Sequence, residues 1–254
     1  MVALLWAATQ GRPYVSKGER KPSSIMLSDS QIERYSRQII LPQVGGKGQE
    51  KLLRARVLVN GSGPLQTSVL LYLAAAGVGT LGVIANDSGA MFSTFAPDQT
   101  ETVSAALTRL NPDCTVVIHR ETAPPGPEQI VQGYDLVLSP PGPLHEVCYA
   151  LRRPFLCAQA SAIDAWVFLC TGYEPDSPCL RCLPHPLFEE RTDTHLLAPL
   201  FFGTLQATEA IKLILGLSGS STGKLLHCQF PTLHFSERPV RKDPQCNLCG
   251  RTVS

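Results

Sequence analysis

The chain has 254 residues, 44% hydrophobic and 17% charged, with 22 basic and 21 acidic side chains for a formal net charge of +1. That balance describes a core-forming globular chain and gives no electrostatic basis for binding nucleic acid. No stretch approaches the ~18 consecutive apolar residues of a membrane span, so neither nucleic acid nor a membrane is an expected partner. The length suits one large α/β domain.

Residues 1–26 carry a short apolar run, 2–8, with no charge before it, and then a polar, basic sequence. This is a poor signal peptide and reads as a mobile tail, or as a start codon assigned too early. Residues 27–254 are read as a single domain. Ser28-Asp29-Ser30-Gln31 is a capping-box pattern, and Ile32, Tyr35 and Ile39 continue at helical spacing, predicting a helix over 29–40. Pro42 and Gly45-Gly46 break it, and a short helix is expected near 49–53.

The stretch 56–87 organises the rest. The apolar run 56–60 predicts a buried strand, and the glycine turn Gly61-Ser62-Gly63 follows. Leu65, Val69 and Leu73 mark a helix, Gly77-Val78-Gly79 ends it, and 81–84 predicts a second strand. Strand, glycine turn, helix and strand within about 30 residues form the first βαβ unit of a nucleotide-binding, doubly wound fold. In such a unit the glycines let the backbone approach a phosphate, and the helix N-terminus offers N–H groups and a positive dipole end.

Beyond a loop at 86–97, Asp98 and Glu101 cap a helix with Val103, Ala106, Leu107 and Leu110 as its buried face, stopped at Asn111-Pro112. Strands are predicted at 115–118, 134–138, 155–158 and 165–170, with short helices after the proline-rich loop at 124–127 and over 144–151. Residues 179–194 form an excursion. A helix over 199–215, apolar nearly all round and ended by Gly216, is either central or covered by another subunit. Strands at 224–230 and 233–237 close the chain.

Nine cysteines are present. Cys179, Cys182, Cys246 and Cys249 form two Cys-x-x-Cys pairs, whereas Cys114, Cys148, Cys157, Cys170 and Cys228 lie singly in apolar runs. This usage predicts a reducing, cytoplasmic setting and a closed four-thiolate zinc site that clips the fold. A redox Cys-x-x-Cys or a coincidence of two pairs is the competing reading. The lone cysteines read as small core residues, with a mixed-disulfide or persulfide role as a weaker class. His185, His195, His227 and His234 show no metal-ligand spacing.

Several ordered motifs resemble the MoeB/ThiF/HesA family, the bacterial relatives of ubiquitin-activating enzymes. They are the run from Arg34 to Pro42, the GxG turn, the segment from Leu73 to Gly79, and the segment from Ala106 to Pro112. Ala198-Pro199-Leu200, the run from Leu205 to Lys212 and the paired cysteines complete the set, which covers about 27–250. The resemblance implies ATP and Mg2+ binding and adenylation of the C-terminal glycine of a ubiquitin-like sulfur carrier such as MoaD or ThiS. It implies a homodimer in which Arg37 reaches the neighbouring subunit's nucleotide. It also makes Gly61 and Gly63 nucleotide-binding glycines, Asp87 a ribose ligand and the four paired cysteines structural zinc ligands. Without a nucleotide opposite, Arg37 reads as an exposed helix residue or an intersubunit salt-bridge partner, and Asp87 as a cap or turn residue.

The chain departs from the family pattern where the nucleotide would sit. Pro64, Leu65 and Gln66 replace further glycines, and Pro64 removes an N–H from the phosphate position. Ala85 stands where the first ribose-binding aspartate is expected. No Lys or Arg occurs between Arg56 and Arg109, the segment after Ser88 is shortened, and Ser139-Pro140-Pro141-Gly142 offers no carboxylate for Mg2+. No crossover-loop cysteine lies in 191–194. The expectation is a doubly wound, mainly parallel α/β domain with an antiparallel C-terminal extension and a zinc clip. Its function is expected to be that of a binding, scaffold or regulatory partner of a ubiquitin-like protein or activating enzyme, with adenylation impaired. An active adenylyltransferase with a rearranged site is the alternative.

Overall fold

A computed structural model of the chain describes residues 27–85, 102–120, 126–161, 164–184, 197–217, 222–229 and 232–250. The first helix, α1 (Asp29–Ile39), is capped as its sequence dictates. Ser28 accepts from the Gln31 N–H, and the Gln31 side chain reaches back to the Ser28 N–H. Tyr35 on its inner face is buried and donates to Asp113 Oδ2 at 3.0 Å, and Asn111 Nδ2 donates to the Tyr35 hydroxyl at 2.8 Å. Burial pushes that phenol up to about 12, so it stays a neutral donor.

Helix α2 spans Gly45–Arg54, starting four residues before the expected Gln49. The first helix ends before Gly45 and Gly46 as expected, and these glycines open α2, with Gly45 at φ +58°. Tertiary contacts override the glycine penalty: Leu52 and Gln49 are buried, Gln49 Nε2 donates to the Ala76 carbonyl, and Lys51 Nζ donates to the Leu215 carbonyl.

The βαβ unit folds as the sequence predicts: β1 (Arg56–Asn60), α3 (Pro64–Ala76) and β2 (Thr80–Ile84). Helix α3 ends in a Schellman motif, with Gly77 left-handed at φ +88°, Val78 N–H bonded to Leu73 O and Gly77 N–H to Ala74 O. Helix α4 (Val103–Leu110) is capped by Thr102, and of its expected buried face Leu110 is instead 44% exposed. Asp98, Glu101 and the loop expected at 86–97 lie outside the described residues.

The remaining elements are β3 (Thr115–His119), α5 (Pro127–Gln132), β4 (Leu136–Ser139), α6 (Leu144–Ala150), β5 (Phe155–Ala160) and β6 (Asp164–Cys170). They are followed by α7 (Leu197–Leu215), β7 (Lys224–Gln229) and β8 (His234–Pro239). One eight-stranded sheet runs β3-β2-β1-β4-β5-β6-β7-β8. The pairs from β3 through β5 are parallel, and β5–β6, β6–β7 and β7–β8 are antiparallel.

Each face of this sheet carries its own core. One contains Val57, Val59, Val69, Leu73, Leu81 and Phe202 beneath α3 and α7; the other contains Leu58, Val137, Phe155, Trp166 and Phe168 beneath α5 and α6. The apolar helix α7 is therefore central, packed on α3, β5 and β6. Gln206 fixes it to the sheet by donating to the Leu156 carbonyl at 2.7 Å.

Candidate functional site

Strand order reverses between β1 and β4, and in an open α/β sheet the crevice beyond the carboxyl ends of such strands is where ligands bind. Here that crevice starts from Asn60, Gly61, Ser62 and Gly63 after β1, and from Ser139 and Pro140 after β4. Asn60 Nδ2 donates to Ser139 Oγ at 3.0 Å, and Ser139 Oγ donates to the Pro140 carbonyl at 2.8 Å. Asn60 and Ser139 are thus tied to each other, and Ser139 to the backbone beyond it. Gly61 turns the chain at φ +107° while its N–H stays bonded to the Ile84 carbonyl. The residue at the end of β2, Ala85, is buried, with its N–H on the His119 carbonyl.

Helix α3 begins with Gly63 as N-cap and Pro64 as its first residue, without a side-chain cap. The Gln66 side chain, 9% exposed, folds back over the turn. A Cβ built at Gly61 would lie 3.2 Å from Gln66 Cδ, and one built at Gly63 would lie 3.2 Å from Gln66 Oε1. The room the glycines create against the helix is taken by this carboxamide. Residues 139–142, after β4, contain no carboxylate.

A second constellation lies on the other side of the sheet. The four sulfurs of Cys179, Cys182, Cys246 and Cys249 fall within 4.8 Å of one another. Separations are 3.9 Å for Cys179–Cys182, 3.7 Å for Cys179–Cys246 and 3.4 Å for Cys182–Cys249. A disulfide needs about 2.05 Å, whereas a tetrahedral ion about 2.3 Å from each thiolate places the sulfurs about 3.8 Å apart. The quartet has the shape of a closed metal site, with no position left for a substrate.

Hydrogen bonds hold its two arms. His145 Nε2 accepts from the Leu180 N–H, Arg181 joins Asn247 to Glu146, and the Asp243 N–H points at Cys182 Sγ. Burial drives the His145 imidazole down to about 4, which keeps Nε2 an acceptor. Burial pushes the Cys179 thiol up, and Cys249 up to about 11. At Cys246 burial acts the same way but is outweighed by hydrogen bonds from the Cys249 and Leu248 backbone and from thiol neighbours, which bring it down to about 7.

The sequence-predicted residues thus separate into distinct places. Gly61 and Gly63 stand at the switch point, and the cysteine quartet forms the clip. Arg37 is exposed in the last turn of α1, with no hydrogen bond or ion pair joining it to the glycine turn. Asp87 lies outside the described residues, as do His185, His195 and residues 191–194. Cys114, Cys148, Cys157, Cys170 and Cys228 are buried, and burial raises each thiol. His227 is buried against Asp164, with His227 Nε2 3.0 Å from Asp164 Oδ1. Sequence reasoning missed Asn60, Ser139 and His145; only the placement of Asn60 and Ser139 at strand ends hinted at the first two.

A doubly wound sheet with a glycine turn at its switch point and a four-cysteine clip beside α6 defines a nucleotide-site fold with an added metal site. Residues 35–248 match the ThiF family. The molybdopterin-synthase adenylyltransferase of Salmonella typhimurium is 33% identical over 248 residues, covering 89% of this chain and 99% of that protein. The SAMP-activating enzyme E1 of Haloferax volcanii is 32% identical over 251 residues, covering 89% and 92%. Among solved structures, E. coli MccB with ATP superposes with a TM-score of 0.67 at 18% identity, covering 86% of this chain and 75% of that one, a likeness of fold. The chain belongs to the MoeB/ThiF family.

Proposed function

We propose that this protein engages a ubiquitin-like sulfur carrier, or the enzyme that activates one, as a binding or regulatory partner whose own ATP-dependent adenylation is impaired. The carrier class is supported by relatives whose names give molybdopterin synthase and SAMP as their targets. The observation that carries the impairment is the glycine notch at the switch point, filled by Gln66. The chain also lacks cations from 57 to 108 and a carboxylate at 139–142. A triphosphate with Mg2+ gathers several negative charges, and adenylyl transfer depends on groups that offset them.

In this reading the clip holds Zn2+ for structure alone, the protein is a homodimer, and Arg37 serves the subunit contact. Five cysteines outside the clip, buried and unpaired, support a reducing, cytoplasmic setting. An active adenylyltransferase is the second reading, favoured by a match that spans nearly the full length of an adenylyltransferase. Titrating ubiquitin-like sulfur carriers from the same organism onto the zinc-loaded protein separates the two. The expected result is saturable binding of one carrier without carrier-dependent ATP–pyrophosphate exchange. Exchange above background establishes the second reading instead.

A further inference from the structure

Gln66 is the third residue of α3, where a side chain can reach back over the N-cap. The first intrahelical bond closes from the Thr67 N–H to the Gly63 carbonyl at 3.0 Å, leaving the Leu65 and Gln66 N–H groups as donors of the first turn. Such N–H groups, with the helix dipole behind them, face the place where an anion's oxygens bind. In this chain the Gln66 carboxamide lies beside that turn. Gln66 Oε1 lies 3.2 Å from where a Gly63 Cβ would be, and Cγ and Nε2 each lie 3.4 Å from where a Gly61 Cβ would be.

The residue is 9% exposed, and no hydrogen bond to another described residue holds its carboxamide. A neutral oxygen near the positive end of α3 needs no counter-cation, and the chain carries none from 57 to 108.

We propose that Gln66 is an intramolecular plug, its carboxamide occupying the Gly61–Gly63 notch in place of a nucleotide phosphate, so that shortening it opens a phosphate site. This rests on the reading that the unmodified chain does not hold nucleotide. The residue is then what sets the ligand preference of the notch, and the Leu65 and Gln66 N–H groups remain as donors beneath it although Pro64 offers none.

The test is calorimetric titration of ATP into the zinc-loaded full chain with Gln66 intact, with Gln66→Ala and Gln66→Gly, and with Gln66→Glu. The intact chain is expected to give no saturable heat. Gln66→Ala and Gln66→Gly should bind ATP at least about tenfold more tightly, in competition with inorganic pyrophosphate. Gln66→Glu keeps the length and adds a negative charge, and stays silent. If both small variants fold, as judged by their melting curves, and remain silent, the plug is refuted while the closed-site reading stands. Should the intact chain bind ATP as tightly as Gln66→Ala, both fall. Gln66→Ser, judged by the same criterion, replaces Gln66→Gly if glycine unfolds the first turn.

Discussion

Stripping the metal from the zinc-loaded protein is expected to lower its melting temperature by about 10 °C. The clip joins segments 67 residues apart in sequence, Cys179 to Cys246. The second of these, 241–250, contains turns and irregular chain without a helix or strand. Beneath it lies a small cluster of the cysteines themselves with Tyr149 and Leu248, too few apolar groups to hold the segment alone. Structural zinc in small peptides supplies about 10–16 kcal/mol of folding free energy; here the two sheet cores stand without it.

We expect a loss of about 3–5 kcal/mol, and 1 kcal/mol moves the melting point of a chain this size by about 2–4 °C. Cys246→Ser should reproduce the loss, and a chelator should then add nothing. Protons compete with the ion for thiolates, so the metal-dependent stability falls as pH falls. A chelator-insensitive melt in protein without zinc by elemental analysis would dispose of the clip.

The second large effect is expected at Gly203→Val. Gly203 lies on α7 where that helix meets the first turns of α3, and a Cβ there would stand 2.2 Å from the Leu65 carbonyl oxygen and 2.7 Å from Ser68 Cβ. The obstacle is backbone, so no side-chain rotation relieves it; α7 must move off α3, opening the core around Val69 and Phe202. Overpacking costs about 1–3 kcal/mol and occasionally more, and the backbone clash places this site at the upper end. A drop in melting temperature of about 6–12 °C follows from the same 2–4 °C per kcal/mol. Thr208→Ala, exposed on the same helix, should stay within about 0.5 kcal/mol. Equal melting of Gly203→Val and the parent would mean that the two helices are not packed as described.

Residues that act through local pattern were legible in the sequence. The run Arg56–Asn60, the turn at Gly61, the helix α3 and its stop at Gly77 follow from a continuous apolar run, helical spacing and backbone freedom, and the strand limits agree with the structure. The quartet was legible because Cys-x-x-Cys is itself a ligand geometry. What escaped depends on chain brought from afar.

Helix α2 forms over Gly45 and Gly46 because neighbouring helices accept its side chains: Gln49 Nε2 donates to the Ala76 carbonyl and Lys51 Nζ to the Leu215 carbonyl. Leu110 carries the right spacing for burial and remains exposed, since periodicity says which face is shared but not how far the neighbour extends. Asn60 and Ser139 are 79 residues apart and meet only because β1 pairs with β4. The sequence marked Gln66 as the wrong size for the turn; that it folds back into the notch is a fact of rotamer and packing.

The proposal that the glycine turn of this chain does not take a nucleotide is tested most directly by calorimetry of ATP against zinc-loaded wild-type protein, with and without Mg2+. The account predicts no binding up to millimolar ATP under either condition. Saturable binding that strengthens with Mg2+ would contradict it, and would direct attention to whichever cation stands in for those missing from 57–108.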